Sequence, residues 1–380
     1  MDGPSDPDVI GHDKATLAHV VRQVLGRNDA EVTSWRSTTL HGGAGGGALY
    51  RLTGSARAGS EVLPWSVIFK IIRATEEAVD PASLRYWARE PLAYRSGALV
   101  DLPGGLATPR CHGITETQDG EYRFWLEDVV ETRRSWTLEH YGSIARQLGS
   151  FNAAYLTGTP LPTWPWLNRA FLRSWIADTG VSANVEAVRS FPDDPRVRRW
   201  YPEEMREQVL LLWDERETFL GALDRLPRTL CHMDAFRRNL LIRSLPNGNE
   251  QAVFLDWAFM GTGALGEELA ALVAGSVNLL DADVGDLEAL DRIAFQGYVA
   301  GARDTGWTGD PRVIRFAYAA ASAMRFALPP VIDLLDEASD PWVEQVMAHP
   351  MDEIVATFVD MRRFLFGLAD EARELLAAGL

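Results

Sequence analysis

The chain has 380 residues, 47% of them hydrophobic and 24% charged, enough to bury a large core in more than one lobe. Its formal net charge of −16 and pI of about 4.9 argue against nucleic acid or an anionic membrane surface as partner and permit a small cationic one. Cys111 and Cys231 lie far apart without metal-ligand spacing, the acidic start has no apolar core of a signal peptide, and no apolar run approaches the ~20 residues of a membrane span, so a reduced cytoplasmic setting is expected.

Apolar residues at Leu17, Val20, Val21 and Val24 predict a short amphipathic helix from Asp13 to Leu25. Thr- and Ser-rich alternation from Glu31 to Leu40 predicts a strand. A glycine-rich segment, His41 to Gly47, precedes a second strand at Ala48 to Leu52. After a turn at Gly54 to Gly59, a third strand runs from Val62 to Ile72. A glycine loop between paired strands lets backbone N–H groups approach phosphate oxygens, because no Cβ intervenes. Gly43, Gly45 and Gly46 are the candidates. No Gly-Lys-Ser/Thr follows and no helix opens there, which excludes a Walker-type loop.

On the third strand Ile68, Lys70 and Ile72 share a face. Lysine occurs only at positions 14 and 70, and a strand lysine among apolar neighbours needs an anionic partner. Asp80-Pro81 reads as a helix start, with the helix running through Leu84 to Glu90 and Pro91 leaving Glu90 at a kink or restart. Glu90 is the candidate partner of Lys70. Strands at Leu106 to Ile114 and Tyr122 to Val129 follow. A boundary between two lobes, residues 1–130 and 131–380, is expected near Val130.

The second part reads as mostly helical. Leu138, Tyr141, Ile144, Leu148 and Phe151 keep helical spacing, and a tryptophan-bearing insertion runs from Thr163 to about Tyr201. The stretch Cys231 to Ala258 then holds two apolar runs around Pro246-Asn247-Gly248, a hairpin signal. The turn lies midway between Asn239 and Asp256, so pairing in register brings that amide and carboxylate together. Such oxygens can hold a hard cation such as Mg²⁺. Asp234 precedes Asn239 by five residues. Each alone is an ordinary loop residue; three around one hairpin point to a site. Further helices are expected at 286–305, 311–328, 341–348 and 351–378.

The pattern His232-x-Asp234-x-x-x-x-Asn239, followed by Asp256 after a strand, resembles the catalytic core of the protein-kinase-like phosphotransferases. With the glycine loop, Lys70 and Glu90 upstream in order, it is most similar to the aminoglycoside phosphotransferase and choline kinase branch. The resemblance implies an α+β, two-lobed kinase-like fold: a small lobe with a five-stranded antiparallel sheet plus a helix, and a large, mostly helical lobe. It implies Asp234 as catalytic base and Asn239 and Asp256 as Mg²⁺ ligands. It places Lys70, paired with Glu90, on the ATP phosphates, Gly43, Gly45 and Gly46 over them, and the adenine at Glu127 to Val129.

His232 is expected to support its loop, and Arg237 and Arg238 to meet either the γ-phosphate or surface partners. The chain departs from the family at Met233, where glycine is commoner, at Pro91, and at Glu268, where aspartate is usual. Glu268 is read as structural. The implied reaction moves the ATP γ-phosphoryl group to a hydroxyl of a small substrate; aminoglycosides, other hydroxylated antibiotics, amino alcohols and sugars all stay open, and the acidity together with the family branch leans towards an antibiotic or amino-sugar-like cation. The alternative is a non-catalytic nucleotide-binding module. A metal-dependent hydrolase built on His232, Asp234 and Asp256 lacks the further histidines such sites gather.

Overall fold

Alternation of apolar and polar residues builds one antiparallel sheet early in the chain. Its strands are β1 (Glu31–Leu40), β2 (Ala48–Ala58), β3 (Glu61–Arg73), β4 (Cys111–Glu116) and β5 (Glu121–Glu127), in the order β1-β2-β3-β5-β4. The structure is a computed structural model and describes residues 14–40, 47–74, 80–118, 120–133, 135–328, 334–336, 338 and 340–380. The glycines proposed for phosphate contact, Gly43, Gly45 and Gly46, lie outside the described residues.

Strand alternation gives the sheet two apolar faces. Leu52, Val67, Phe69, Ile71 and Trp125 bury one against helix α1 (Lys14–Leu25), through Leu17, Val20 and Val21. The opposite face of β3 presents Ile68, Lys70 and Ile72. It packs with Phe124 and Leu126 of β5 and with the segment leading into helix α2 (Arg89–Arg95).

Three expectations are corrected here. Gly54 is no turn residue but lies within β2, opposite Trp65, where a Cβ would sit 2.1 Å from the Ser34 carbonyl oxygen. The hairpin reverses later, at Gly59 (φ +59°). β4 begins at Cys111 instead of Leu106. Pro109 has no N–H to give a ladder, and Ala107 joins another hairpin, donating to Ala252 O (2.9 Å) and accepting from Phe254 N (2.8 Å). The helix expected from Leu84 starts only at Arg89, and residues 80–88 form turns. The carbonyls a helix would use there, those of Pro81, Ser83 and Leu84, instead accept from the Arg89 guanidinium. Pro91 then falls in the first turn of α2, where a missing N–H costs nothing.

After β5 the chain is mainly helical. The helices are α3 (Leu138–Ala154), α4 (Phe171–Asp178), α5 (Val181–Ser190), α6 (Pro195–Trp200), α7 (Glu203–Asp214), α8 (Arg216–Arg225), α9 (Ser276–Asn278), α10 (Leu287–Asp304), α11 (Pro311–Ser322), α12 (Asp340–Met347) and α13 (Met351–Ala377). The last four fall where periodicity placed them. α3 and α10 pack backbone to backbone at glycines: a Cβ on Gly301 would lie 1.8 Å from the Arg146 carbonyl oxygen. Two small antiparallel pairs sit on this helical body, β6 (Arg228–Cys231) with β9 (Gly261–Ala264), and β7 (Leu240–Ser244) with β8 (Glu250–Phe254). The whole is the α+β, two-lobed kinase-like architecture that the sequence pattern implied. Among the described residues no helix is long and apolar enough to cross a membrane.

Candidate active site

The β7–β8 hairpin forms in the expected register, Leu240 opposite Phe254 and Ser244 opposite Glu250, turning at Gly248 (φ +84°). At its open end Leu255 N–H donates to Asn239 O (2.8 Å), which fixes Asn239 beside the entry to Asp256. Asn239 closes a short 3₁₀ turn, Arg237–Asn239, and its Nδ2 donates to Asp234 O (3.0 Å) and Asp234 Oδ2 (3.1 Å). The three residues of the motif therefore meet.

His232 joins the two loops from beneath. It is fully buried; its Nε2–H donates to Leu255 O (2.7 Å), while its Nδ1 accepts from Asp234 N–H (3.2 Å). That pair of bonds defines the neutral tautomer. Burial agrees with it, pulling the imidazole pKa down to about 4. His232 is thus a structural tie, as expected.

Lys70 reaches the same place from the sheet. Its Nζ lies 2.5 Å from Glu90 Oε2 and 3.6 Å from Asp256 Oδ1. Burial alone would discharge the ammonium, but the carboxylates of Asp256 and Glu90 outweigh it and hold its pKa above the ordinary lysine value. Asp256 in turn stays below the ordinary carboxylate value: burial pushes it up, and Lys70 together with its other neighbours, the Ala258 N–H among them, outweighs that. Glu90 is 2% exposed and stands in the first turn of α2. The side chain of Asp256 keeps 42% exposure and is open to a ligand.

Asp234 is held on both carboxylate oxygens. Oδ2 accepts from Asn239, and Oδ1 accepts from Arg325 Nη2 at 2.7 Å. Burial raises its pKa to about 6, with Arg325 opposing the rise. The residue before it, Met233, adopts φ +71°, a left-handed conformation that bulky side chains rarely take. Its N–H donates to Glu268 Oε1 (3.0 Å), which also accepts from His232 N–H (2.6 Å), and Glu268 Oε2 accepts from Asn152 Nδ2 (2.8 Å). Glu268 therefore clasps the loop backbone, the structural part expected of it. Burial lifts its own pKa to about 7.

Arg237 is taken by Glu131 (2.7 Å) and stacks on Trp136, and Arg238 is taken by Asp281 (3.0 Å). At the end of β5, Glu127 N–H donates to Arg110 O and its carboxylate pairs with Arg243 (2.8 Å), while Val129 lies just past the strand.

A family model described as the phosphotransferase enzyme family matches residues 96–307, more than half the chain. The chain belongs to that family. This phosphotransferase resembles solved structures only distantly. An amicoumacin kinase in complex with AMP-PNP and Ca²⁺ is 11% identical, with 94% of this chain and 96% of that one covered and a TM-score of 0.49. A spectinomycin phosphotransferase in complex with ADP and spectinomycin is 12% identical, covering 94% and 98%, TM-score 0.49. An ethanolamine kinase of Plasmodium vivax is 12% identical, covering 92% and 86%, TM-score 0.47. No curated protein matches the phosphotransferase.

Two arginines of the site escaped the sequence reading. Arg325 comes from a π-helical turn, Ala323–Ala327, 91 residues beyond Asp234. Arg89 adjoins Glu90, and its five N–H donors all meet backbone carbonyls: Pro81, Ser83, Leu84, Trp166 and Ala258. Neither carries a local signal, since the chain is rich in arginine throughout.

Proposed function

We propose that the protein is an ATP-dependent kinase of a small hydroxylated molecule. What supports this most is one observation: Lys70, paired with Glu90, faces Asp256, and Asp256 shares its loop end with Asn239 and Asp234. The reading takes residues 1–130 as the nucleotide lobe and 131–380 as the catalytic and substrate lobe.

Asp234 is the catalytic base in this reading. The acceptor oxygen forms a bond to the γ-phosphorus of ATP as the bond from that phosphorus to the β,γ-bridging oxygen breaks. ADP leaves, and the hydroxyl proton passes to the Asp234 carboxylate. Lys70 neutralises phosphate charge, and Gly43, Gly45 and Gly46, outside the described residues, are the glycines assigned to phosphate contact in this reading. Glu127 and Val129 offer backbone to the adenine.

Mg²⁺ fits the donor set. Asn239 and Asp256 supply hard oxygen ligands, and Asp256 is ionised by Lys70 and open to solvent. Among the described residues no group of three His, Cys, Asp or Glu side chains forms a closed metal cage. That suits an ion held by one or two protein oxygens together with substrate phosphates. When bound, the ion would neutralise charge on the β- and γ-phosphates.

The net charge of −16 favours a cationic acceptor such as an amino sugar or a related antibiotic. The test is a screen of hydroxylated metabolites and antibiotics with Mg-ATP, read by mass spectrometry for the gain of one phosphate. Modified acceptor with ADP in equal amount is expected. ATP binding without any phosphorylated acceptor would replace the enzyme with a nucleotide-binding module.

A further inference from the structure

Arg325 stands where no motif placed a residue. Its Nη2 donates to Asp234 Oδ1 at 2.7 Å and its Nη1 to the Met233 carbonyl oxygen at 2.7 Å. One planar fork therefore grips both the reacting carboxylate and the peptide before it. The side chains are nearly closed to water, at 7% exposure for Arg325 and 13% for Asp234.

The guanidinium is itself fixed. It lies 4.8 Å from the ring centre of Phe171, 4.7 Å from that of Trp175 and 5.1 Å from that of Phe326. Such stacking restrains a long side chain that would otherwise sample many rotamers. The π-helical turn that carries Arg325 holds one extra residue per turn, a device for aiming a side chain out of register with the helix before it. On the far side, Glu268 holds the N–H groups of His232 and Met233. The left-handed Met233 is thus pinned at its N–H by an acid and at its carbonyl by Arg325.

We propose that Arg325 is a positioning residue. It locks the Asp234 carboxylate and the strained Met233 peptide into one unit, so that Asp234 meets the acceptor hydroxyl at a fixed angle. This rests on the reading of Asp234 as base. Arg325 acts only through Asp234 and takes no part in holding nucleotide.

The experiment compares wild type, Arg325→Met, Arg325→Lys, Asp234→Asn and Asp234→Asn/Arg325→Met. The probe is Mg-ATP hydrolysis with water as acceptor, alongside crystal structures of wild type and Arg325→Met. Arg325→Met is expected to lower kcat tenfold or more while KM for ATP moves less than twofold. Arg325→Lys recovers part of kcat, because one ammonium cannot span both oxygens. In the Asp234→Asn background, Arg325→Met costs less than a further twofold. The crystal structure of Arg325→Met shows the Asp234 carboxylate turned away from Asn239.

Unchanged kcat in Arg325→Met, or equal losses in both backgrounds, overturns the proposal. If Arg325→Met does not fold, Arg325→Lys decides it: a fall in kcat alone supports positioning, and a rise in KM for ATP with kcat unchanged refutes it. If wild type does not hydrolyse ATP with water as acceptor, the kinase reading is judged by the acceptor screen alone. The clamp is then judged by the crystal structures, and an Asp234 carboxylate that keeps its place without Arg325 refutes it.

Discussion

Met233 sets two effects of opposite sign against each other. Its φ of +71° costs an ordinary L-residue about 1–2 kcal/mol, and Met233→Gly removes that cost. The same substitution deletes a side chain that is 2% exposed and packs with Leu84, Phe171 and Cys231. Deleting a buried methionine to alanine costs about 2–5 kcal/mol, and glycine adds about 0.5–1 kcal/mol through the freedom of the unfolded chain. The packing loss wins, so Met233→Gly should be less stable by about 0.5–5 kcal/mol. The space it leaves lies over Gly263, where even a Cβ would meet Met233 Cε at 2.5 Å. Met233→Ala loses the same packing and keeps most of the strain, so it should be the worse of the two. Urea unfolding followed by tryptophan fluorescence measures both. A Met233→Gly protein as stable as wild type, or Met233→Ala above Met233→Gly, would show that packing is not what maintains this backbone.

Further outcomes follow from the site's charges. Asp234→Asn should cut turnover by roughly 10²–10⁴-fold, the range for a lost general base, with ATP affinity by calorimetry almost unchanged; full activity would remove Asp234 from the chemistry. As the proposed base, Asp234 must be ionised to accept a proton, and burial holds its pKa at about 6. kcat/KM should therefore fall as pH drops through about 6, and an acid limb near the ordinary aspartate value would contradict that environment. Lys70→Ala should weaken ATP binding and turnover together, and unchanged values of both would reject its place on the phosphates.

Much of this was legible in sequence because the relevant geometry is local. Asn239 and Asp256 flank a hairpin whose register its turn dictates, so their meeting could be read from spacing. Lys70 was conspicuous as a charge inside an apolar strand, and Glu90 as the carboxylate that follows. What stayed hidden depends on contacts between distant segments. Residues 80–88 look helical by composition, yet a buried guanidinium captures their carbonyls. Leu106 to Arg110 read as strand, but Ala107 bonds to β8 instead. Arg325 lies in a helix whose periodicity says only that it packs, and nothing nearby says that it points at Asp234.

Arg89 has a mechanical consequence. Its bonds to Trp166 and Ala258 fasten the start of α2 to the segment just behind Asp256. Burial, with no counter-ion among the described residues, pulls its pKa down to about 10, still far above neutrality, so the fastening persists in any ordinary buffer. α2 is therefore anchored to the helical body independently of the Lys70–Glu90 pair, and the Glu90 carboxylate is seated without help from Lys70.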